Sequence, residues 1–195
     1  MAQIPRSGIT KDTAKNVLVD AGILIVNFGE SDQRQIGATS GGNTVAQEVT
    51  IRESEPDGAR GPVEGLRDVE TAYYRLTVNL FEHTLDNLKT ILRAEEETSE
   101  NGYKKIRPRL DILEQDYLKN IALAVRIKNS DKYVVHVLEN ALPDSEIEMG
   151  SEDKADLVTE VQFTAHYDPA DVLKAPYYIL YPEGEDGGGV ESLDV

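Results

Sequence analysis

Apolar residues alternate with polar ones along most of this chain, and a helical period appears only once. A period of two belongs to a strand that buries one face. From Thr44 to Arg52, Val45, Val49 and Ile51 share one face while Thr44, Glu48 and Thr50 share the other. From Val69 to Phe81, Ala72, Tyr74, Leu76, Val78 and Leu80 oppose Thr71, Arg75, Thr77 and Asn79. Lys119 to Lys128 points Ile121, Leu123, Val125 and Ile127 one way, and Leu157 to Tyr167 does the same with Leu157, Val161, Phe163 and Ala165. Tyr133 to Leu138 follows a short Asn129-Ser130-Asp131 turn and predicts a hairpin. Ala21 to Phe28 is rich in Ile, Leu and Val and predicts a buried strand, and Tyr177 to Tyr181 predicts a short edge strand. Helical spacing is confined to Leu85, Leu88, Ile91 and Leu92, with Thr84 placed to cap and Asp86 in the first turn. The expected fold is therefore mainly β: an antiparallel β-sandwich or open barrel with one flanking α-helix at about residues 84–93 and long loops.

The loops divide the chain. Residues 1–19 mix Pro5, Gly8 and alternating charges and are expected to form an N-terminal arm. Residues 20–182 form the expected β domain, and residues 183–195 an acidic, Gly-rich C-terminal tail. Gly29 to Asn43 is dense in Gly, Ser and Asp, and Glu53 to Arg67 is a Gly/Pro loop far longer than the two to five residues of an ordinary hairpin. Glu95 to Gly102 is expected to be an acidic, turn-rich excursion, residues 103–118 show no clear period, and Pro143 to Asp156 is a second acidic loop.

Composition excludes several chemistries. There is no cysteine, which removes disulfides, thiolate metal sites and a cysteine nucleophile. The formal net charge is −16, the wrong sign for gripping nucleic acid through counterion release. That charge is compatible with a channel through which DNA slides, because a wall of carboxylates repels phosphate. No apolar run approaches the roughly 20 residues of a membrane span, and Met1 to Thr10 has no signal-peptide apolar core. A soluble chain made in the cytoplasm, with no membrane insertion, is expected. The Gly-rich blocks lack the Lys-Ser/Thr of a phosphate-binding loop, and Pro62 after Gly58-x-x-Gly61 spoils a KH-type clamp. His83, His136 and His166 form no metal-ligand spacing, no Ser occupies a Gly-x-Ser-x-Gly elbow, and Asp144 to Asp156 lacks the order of a calcium loop. No catalytic residue, cofactor or metal is expected, and the chain is read as not an enzyme.

Three glycine-punctuated segments carry a resemblance. They are Asp20-Ala21-Gly22 in the first strand, Gly37-Ala38-Thr39-Ser40-Gly41-Gly42-Asn43, and Asp57-Gly58-Ala59-Arg60-Gly61-Pro62-Val63-Glu64-Gly65-Leu66-Arg67. With Leu76 to Glu82 leading into Asn87-Leu88, this order resembles the major tail proteins, or tail tube proteins, of long-tailed bacteriophages with non-contractile tails, over about Val17 to Leu92. The resemblance implies a structural virion protein whose β-sandwich subunits close into hexameric rings. Stacked rings make a hollow tail tube, assembled in the host cytoplasm, through which DNA passes into the host without specific binding. It implies a tape-measure protein and a tail terminator as partners. Under it, Asp57, Gly58, Arg60, Gly61, Pro62, Arg67, Gly41 and Asn43 are candidates for contacts between subunits or rings, and Glu48, Glu160 and Gln162 are candidates for the lumen. The alternatives are the tube protein of a contractile tail or phage-like injection system, and an acidic β-sandwich binding module. The lack of Trp deprives a carbohydrate-binding module of its usual platform.

Overall fold

The structure is a computed structural model and describes residues 8–9, 13–54 and 56–183. Ten strands and one α-helix are present among the described residues. In chain order they are β1 Leu18–Val26, β2 Arg34–Gln35, β3 Thr39–Glu53, β4 Arg67–Leu80, α1 Leu85–Leu92, β5 Ala94–Glu100, β6 Tyr103–Pro108, β7 Leu118–Ile127, β8 Tyr133–Pro143, β9 Thr159–Thr164 and β10 Tyr177–Leu180. All pairings are antiparallel, as the alternation predicts.

One sheet runs β2-β1-β7-β8 with β10 on the far side of β8, and the other runs β3-β4-β9. They are joined because β8 belongs to both. Its residues Tyr133 to Ala141 pair with β7, Val135 to Leu138 with β10, and Leu142 and Pro143 with β9. The change of direction falls at Asn140, whose φ of 48 places it in the left-handed region that Asn tolerates better than most residues. Its Nδ2 donates to the His166 carbonyl at 3.2 Å and fixes the bend to the end of β9. Strands that pass between sheets by such bends are how sandwiches make corners.

The core lies between the sheets. Leu76, Val78 and Leu80 of β4, Val161 and Phe163 of β9, Leu24 and Val26 of β1, Ile121 and Leu123 of β7 and Leu138 of β8 are all buried in it. Helix α1 closes one end, with Ile91 beside Val78, Leu80, Val161 and Phe163. Thr84 caps it by accepting from the Asn87 amide at 3.2 Å, and Arg93 ends it in the left-handed conformation with φ 48.

Three differences from the sequence reading have physical causes. β3 starts at Thr39 because Gly41 and Gly42, with φ of 93 and 88, form a bulge inside the strand where a loop was expected. The acidic excursion and the segment after it form a hairpin, β5–β6, closed by Asn101 and Gly102 with φ of 52 and 80, the dihedral signs of a type I′ turn. Charge rather than apolar burial holds it. Glu97 receives Lys105 at 2.6 Å and also Arg107, Glu96 takes Lys89 at 2.6 Å and Lys104 at 3.4 Å, and Glu95 takes Arg109 at 3.2 Å. Finally, β7 buries both faces. Ala122 and Ala124 on its outer face pack with Ile25, Val135 and Val137 in a second apolar cluster.

Gly22 sits in β1 at a left-handed position that leaves no room for a side chain. Its φ is 83, and an added Cβ would stand 2.6 Å from Leu123 Cδ1 and 3.1 Å from the Ala124 carbonyl oxygen. Gly22→Ala is expected to cost about 2 kcal/mol, from left-handed strain and crowding together. Urea denaturation should show the midpoint falling with the slope unchanged.

Candidate functional site

Strand pairing decides which polar side chains share a surface. Glu48 of β3 sits opposite Tyr73 of β4, while Asn79 and Thr77 of β4 sit opposite Glu160 and Gln162 of β9. In β4 the odd-numbered residues 73 to 79 point away from the core, because Tyr74, Leu76, Val78 and Leu80 are buried. Glu48, Glu160 and Gln162 therefore lie on one continuous outward face with Thr44, Thr50, Thr71, Tyr73, Arg75, Thr77 and Asn79.

The face is hydroxyl- and amide-rich and sparing in cations. Arg75 is bonded to the Glu48 carboxylate, and its guanidinium stands 5.0 Å from the centre of the Tyr73 ring. The positive charge is thereby held by an anion and a π face from the same surface. Farther out, Arg52 pairs with Asp68 at 3.1 Å. Glu160 has an exposed side chain on this face.

β3 and β4 continue beyond β9 as a two-stranded ribbon, since β9 pairs only with Arg75 to Leu80. Its tip carries Asp57, Gly58, Arg60, Gly61 and Pro62, all exposed, and Ser54 and Leu66 close its base by a backbone bond of 3.0 Å. Arg67 opens β4 and pairs with Glu53 at 3.1 Å. The other two loop candidates sit elsewhere. Gly41 is in the β3 bulge, and Asn43 is bound within the chain, its Nδ2 donating to the Ala21 carbonyl at 3.0 Å and to Thr39 Oγ1 at 3.2 Å.

The histidines are taken up by local bonds. His83 Nε2 meets Thr159 Oγ1 at 2.8 Å, His136 Nδ1 meets the Tyr177 hydroxyl at 2.7 Å, and His166 Nδ1 donates to the Asn140 carbonyl at 3.2 Å. Tyr177 also stacks on Tyr74 across the two sheets, with ring centres 5.1 Å apart. Burial pushes the His136 pKa below its ordinary 6.5. The unfolded chain then takes up a proton that the folded chain resists, so stability should be full above about pH 6.5 and fall as pH drops below it. The Glu97 pKa, held down to about 2 by hydrogen bonds from Arg107 and then Lys105, adds a separate loss below its ordinary 4.5. Thermal melts from pH 7.5 down to about pH 5 isolate the first window. His136→Gln should flatten the melting temperature across it.

The cavity over the β1 bulge, lined by Asp20, Gly22, Ile23, Ala124, Arg126 and Tyr133, measures about 130 Å³. Small-molecule pockets begin at roughly 300 Å³. Among the described residues no three His, Asp or Glu side chains gather as a metal site, and no helix is long and apolar enough to cross a membrane.

Fold and surface together define an open antiparallel β-sandwich with one broad polar face and a long projecting ribbon. Comparison with protein-family models and with curated proteins finds no match. Among solved structures, the chain is similar to a chain of the "Virion of native gene transfer agent (GTA) particle", at 9% identity and a TM-score of 0.41, over 75% of this chain and 92% of that one.

Proposed function

We propose that this chain is a structural virion protein, not an enzyme, and that copies of it close into stacked hexameric rings forming a phage tail tube. The observation that carries the reading is the polar face of β3, β4 and β9. It gathers Glu48, Glu160 and Gln162 on one surface with its single central cation already neutralised. In a tube with that face inward, DNA meets hydroxyls, amides and carboxylates, and no free guanidinium to hold a phosphate. The ribbon tip from Asp57 to Pro62 stands clear of the domain and is suited to reach a neighbouring subunit or ring. A tape-measure protein and a tail terminator would then set the length of the tube, which would be assembled in the host cytoplasm.

Negative-stain electron microscopy of the concentrated protein is the direct test. Hollow rings or tubes are expected, while solid or amorphous aggregates would sink the reading. Assembled wild-type protein should also fail to retain duplex DNA on a filter at physiological salt, whereas Glu160→Lys/Gln162→Lys should retain it. Tight DNA binding by the wild type would overturn the conduit.

A further inference from the structure

Spontaneous loss of ammonia from an asparagine needs a side-chain amide free to turn, an unhindered amide nitrogen on the next residue, and access to water. Six of the nine asparagines lack the first condition. Asn27, Asn43, Asn79, Asn87, Asn120 and Asn140 each donate Nδ2 to an oxygen elsewhere in the chain. Asn16 and Asn129 lack the second. Asn16 precedes the β-branched Val17, and Asn129 precedes Ser130, whose amide is bonded to the Ile127 carbonyl at 3.2 Å. Asn101 meets all three conditions. It is exposed, and no hydrogen bond holds its side chain among the described residues. Gly102 after it is exposed too, with open space where a Cβ would stand.

The same two residues make the turn between β5 and β6. Their φ values of 52 and 80 fit a type I′ turn, in which ψ of the first residue is positive as well. The five-membered ring that expels ammonia needs that ψ strongly negative, so the closed turn holds the Gly102 nitrogen away from Asn101 Cγ. The reaction therefore runs through an opened hairpin. Little apolar burial resists opening, since Ile106 is the one residue of β6 that is not exposed. A two-stranded hairpin is marginal by itself. This one is closed by Glu97 with Lys105 at 2.6 Å and with Arg107, by Glu96 with Lys104 at 3.4 Å, and by Glu95 with Arg109 at 3.2 Å. Exposed pairs of this kind are individually weak and are screened by salt.

We propose that Asn101 is the chain's deamidation site and that the β5–β6 ion pairs set its rate. In the open hairpin the Gly102 nitrogen gives its proton to water or hydroxide and attacks Asn101 Cγ. The Cγ–Nδ2 bond breaks, and Nδ2 leaves as ammonia with a proton taken back from water. Water then opens the cyclic imide. Cleavage at Cγ gives aspartate. Cleavage at the main-chain carbonyl gives isoaspartate, in which the chain runs on through the side chain. No step oxidises or reduces any atom. Asp-Gly also suits a type I′ turn, so aspartate lets the hairpin reclose. Isoaspartate adds an atom to the main chain and spoils the two-residue turn between Glu100 and Tyr103. Either product adds a carboxylate next to a strand that already carries Glu95, Glu96 and Glu97. The hairpin thus loosens as the protein ages, whether or not the chain forms a tube.

The test is peptide mapping by mass spectrometry of the full chain, aged at mildly alkaline pH in low salt, in high salt and in denaturing urea. Thermal melting is the fold control. The mass gain of amide-to-acid conversion should appear first on the peptide that holds Asn101. Asp57-Gly58 can isomerise through the same ring without changing mass, so the gain separates the two sites. High salt and Glu97→Gln should each speed the gain about threefold, because each weakens exposed pairs that oppose opening. Urea should speed it most, and Asn101→Gln should abolish it. Glu97→Gln keeps the test open where salt alters the chemistry itself. A first mass gain at Asn129 or Asn16, or no gain at Asn101 even in urea, would overturn the site. Equal rates at Asn101 in low salt, in high salt and in Glu97→Gln would overturn control by the ion pairs.

Discussion

Phe163→Ala should destabilise the protein by about 4 kcal/mol, the upper part of the range for removing a fully buried aromatic ring. Phe163 is 1% exposed and sits in β9 opposite Leu76 of β4. It is also among the side chains under α1, with Val78, Leu80, Ile91 and Val161. Two rigid elements thus meet on one ring. Neither can collapse into the space, because β4 and β9 are fixed in register by six pairs and α1 is tied down at its own end. The cost therefore includes the cavity as well as the lost transfer energy. Urea denaturation measures it, and Phe163→Leu should recover more than half of the loss. Equal losses for Ala and Leu would mean that ring shape rather than volume holds this corner.

Asn87→Ala should cost about 3 kcal/mol, although Asn87 is a polar residue on a helix. Asn87 is 2% exposed. Its Nδ2 donates to the Ile36 carbonyl at 2.6 Å and to the Glu82 carbonyl at 3.1 Å, and its Oδ1 accepts from Arg34 at 2.8 Å. Arg34 also reaches Thr90 Oγ1 at 2.8 Å, and burial lowers its pKa. One amide thus joins β2, the segment after it and the approach to α1. Truncation strands two carbonyls and half of a part-buried cation's partners, and each orphaned group is penalised separately. Chemical denaturation gives the total. Hydrogen exchange should show the amides of α1 opening before those of β7. Asn87→Asp should be at least as damaging, because it removes the donor to both carbonyls.

The strands that bury one face were legible because alternation is a direct record of burial. β4 and β9 show their buried core residues at the expected parity, β7 does so on the face of Ile121 and Leu123 alone, and Thr84 marks the start of α1 as its side chain predicts. β5 and β6 were not legible from apolar period. Ala94 to Glu100 has no apolar alternation, and what holds it is a set of partners supplied by the opposite strand. Asn101-Gly102 was the available signal, and its meaning depends on flanking strands that this composition hides. Gly41 and Gly42 read as loop because the same residues serve bulges and turns. For the polar face, parity placed Glu48, Glu160 and Gln162 away from the core, but only the pairing of β4 with both β3 and β9 puts them on one surface. The Asn87–Arg34 network left no trace in spacing, since its members are 53 residues apart and join through three-dimensional proximity alone.

β8 runs through both sheets, and this has a mechanical consequence. In most sandwiches a load on one layer reaches the other through side-chain contacts, which can slip. Here a push on β9 is transmitted along a covalent backbone past Asn140 into β7 and β10. The two layers therefore deform as one beam. A wall built from such units would resist bulging under internal pressure in its strands before its packing was called upon.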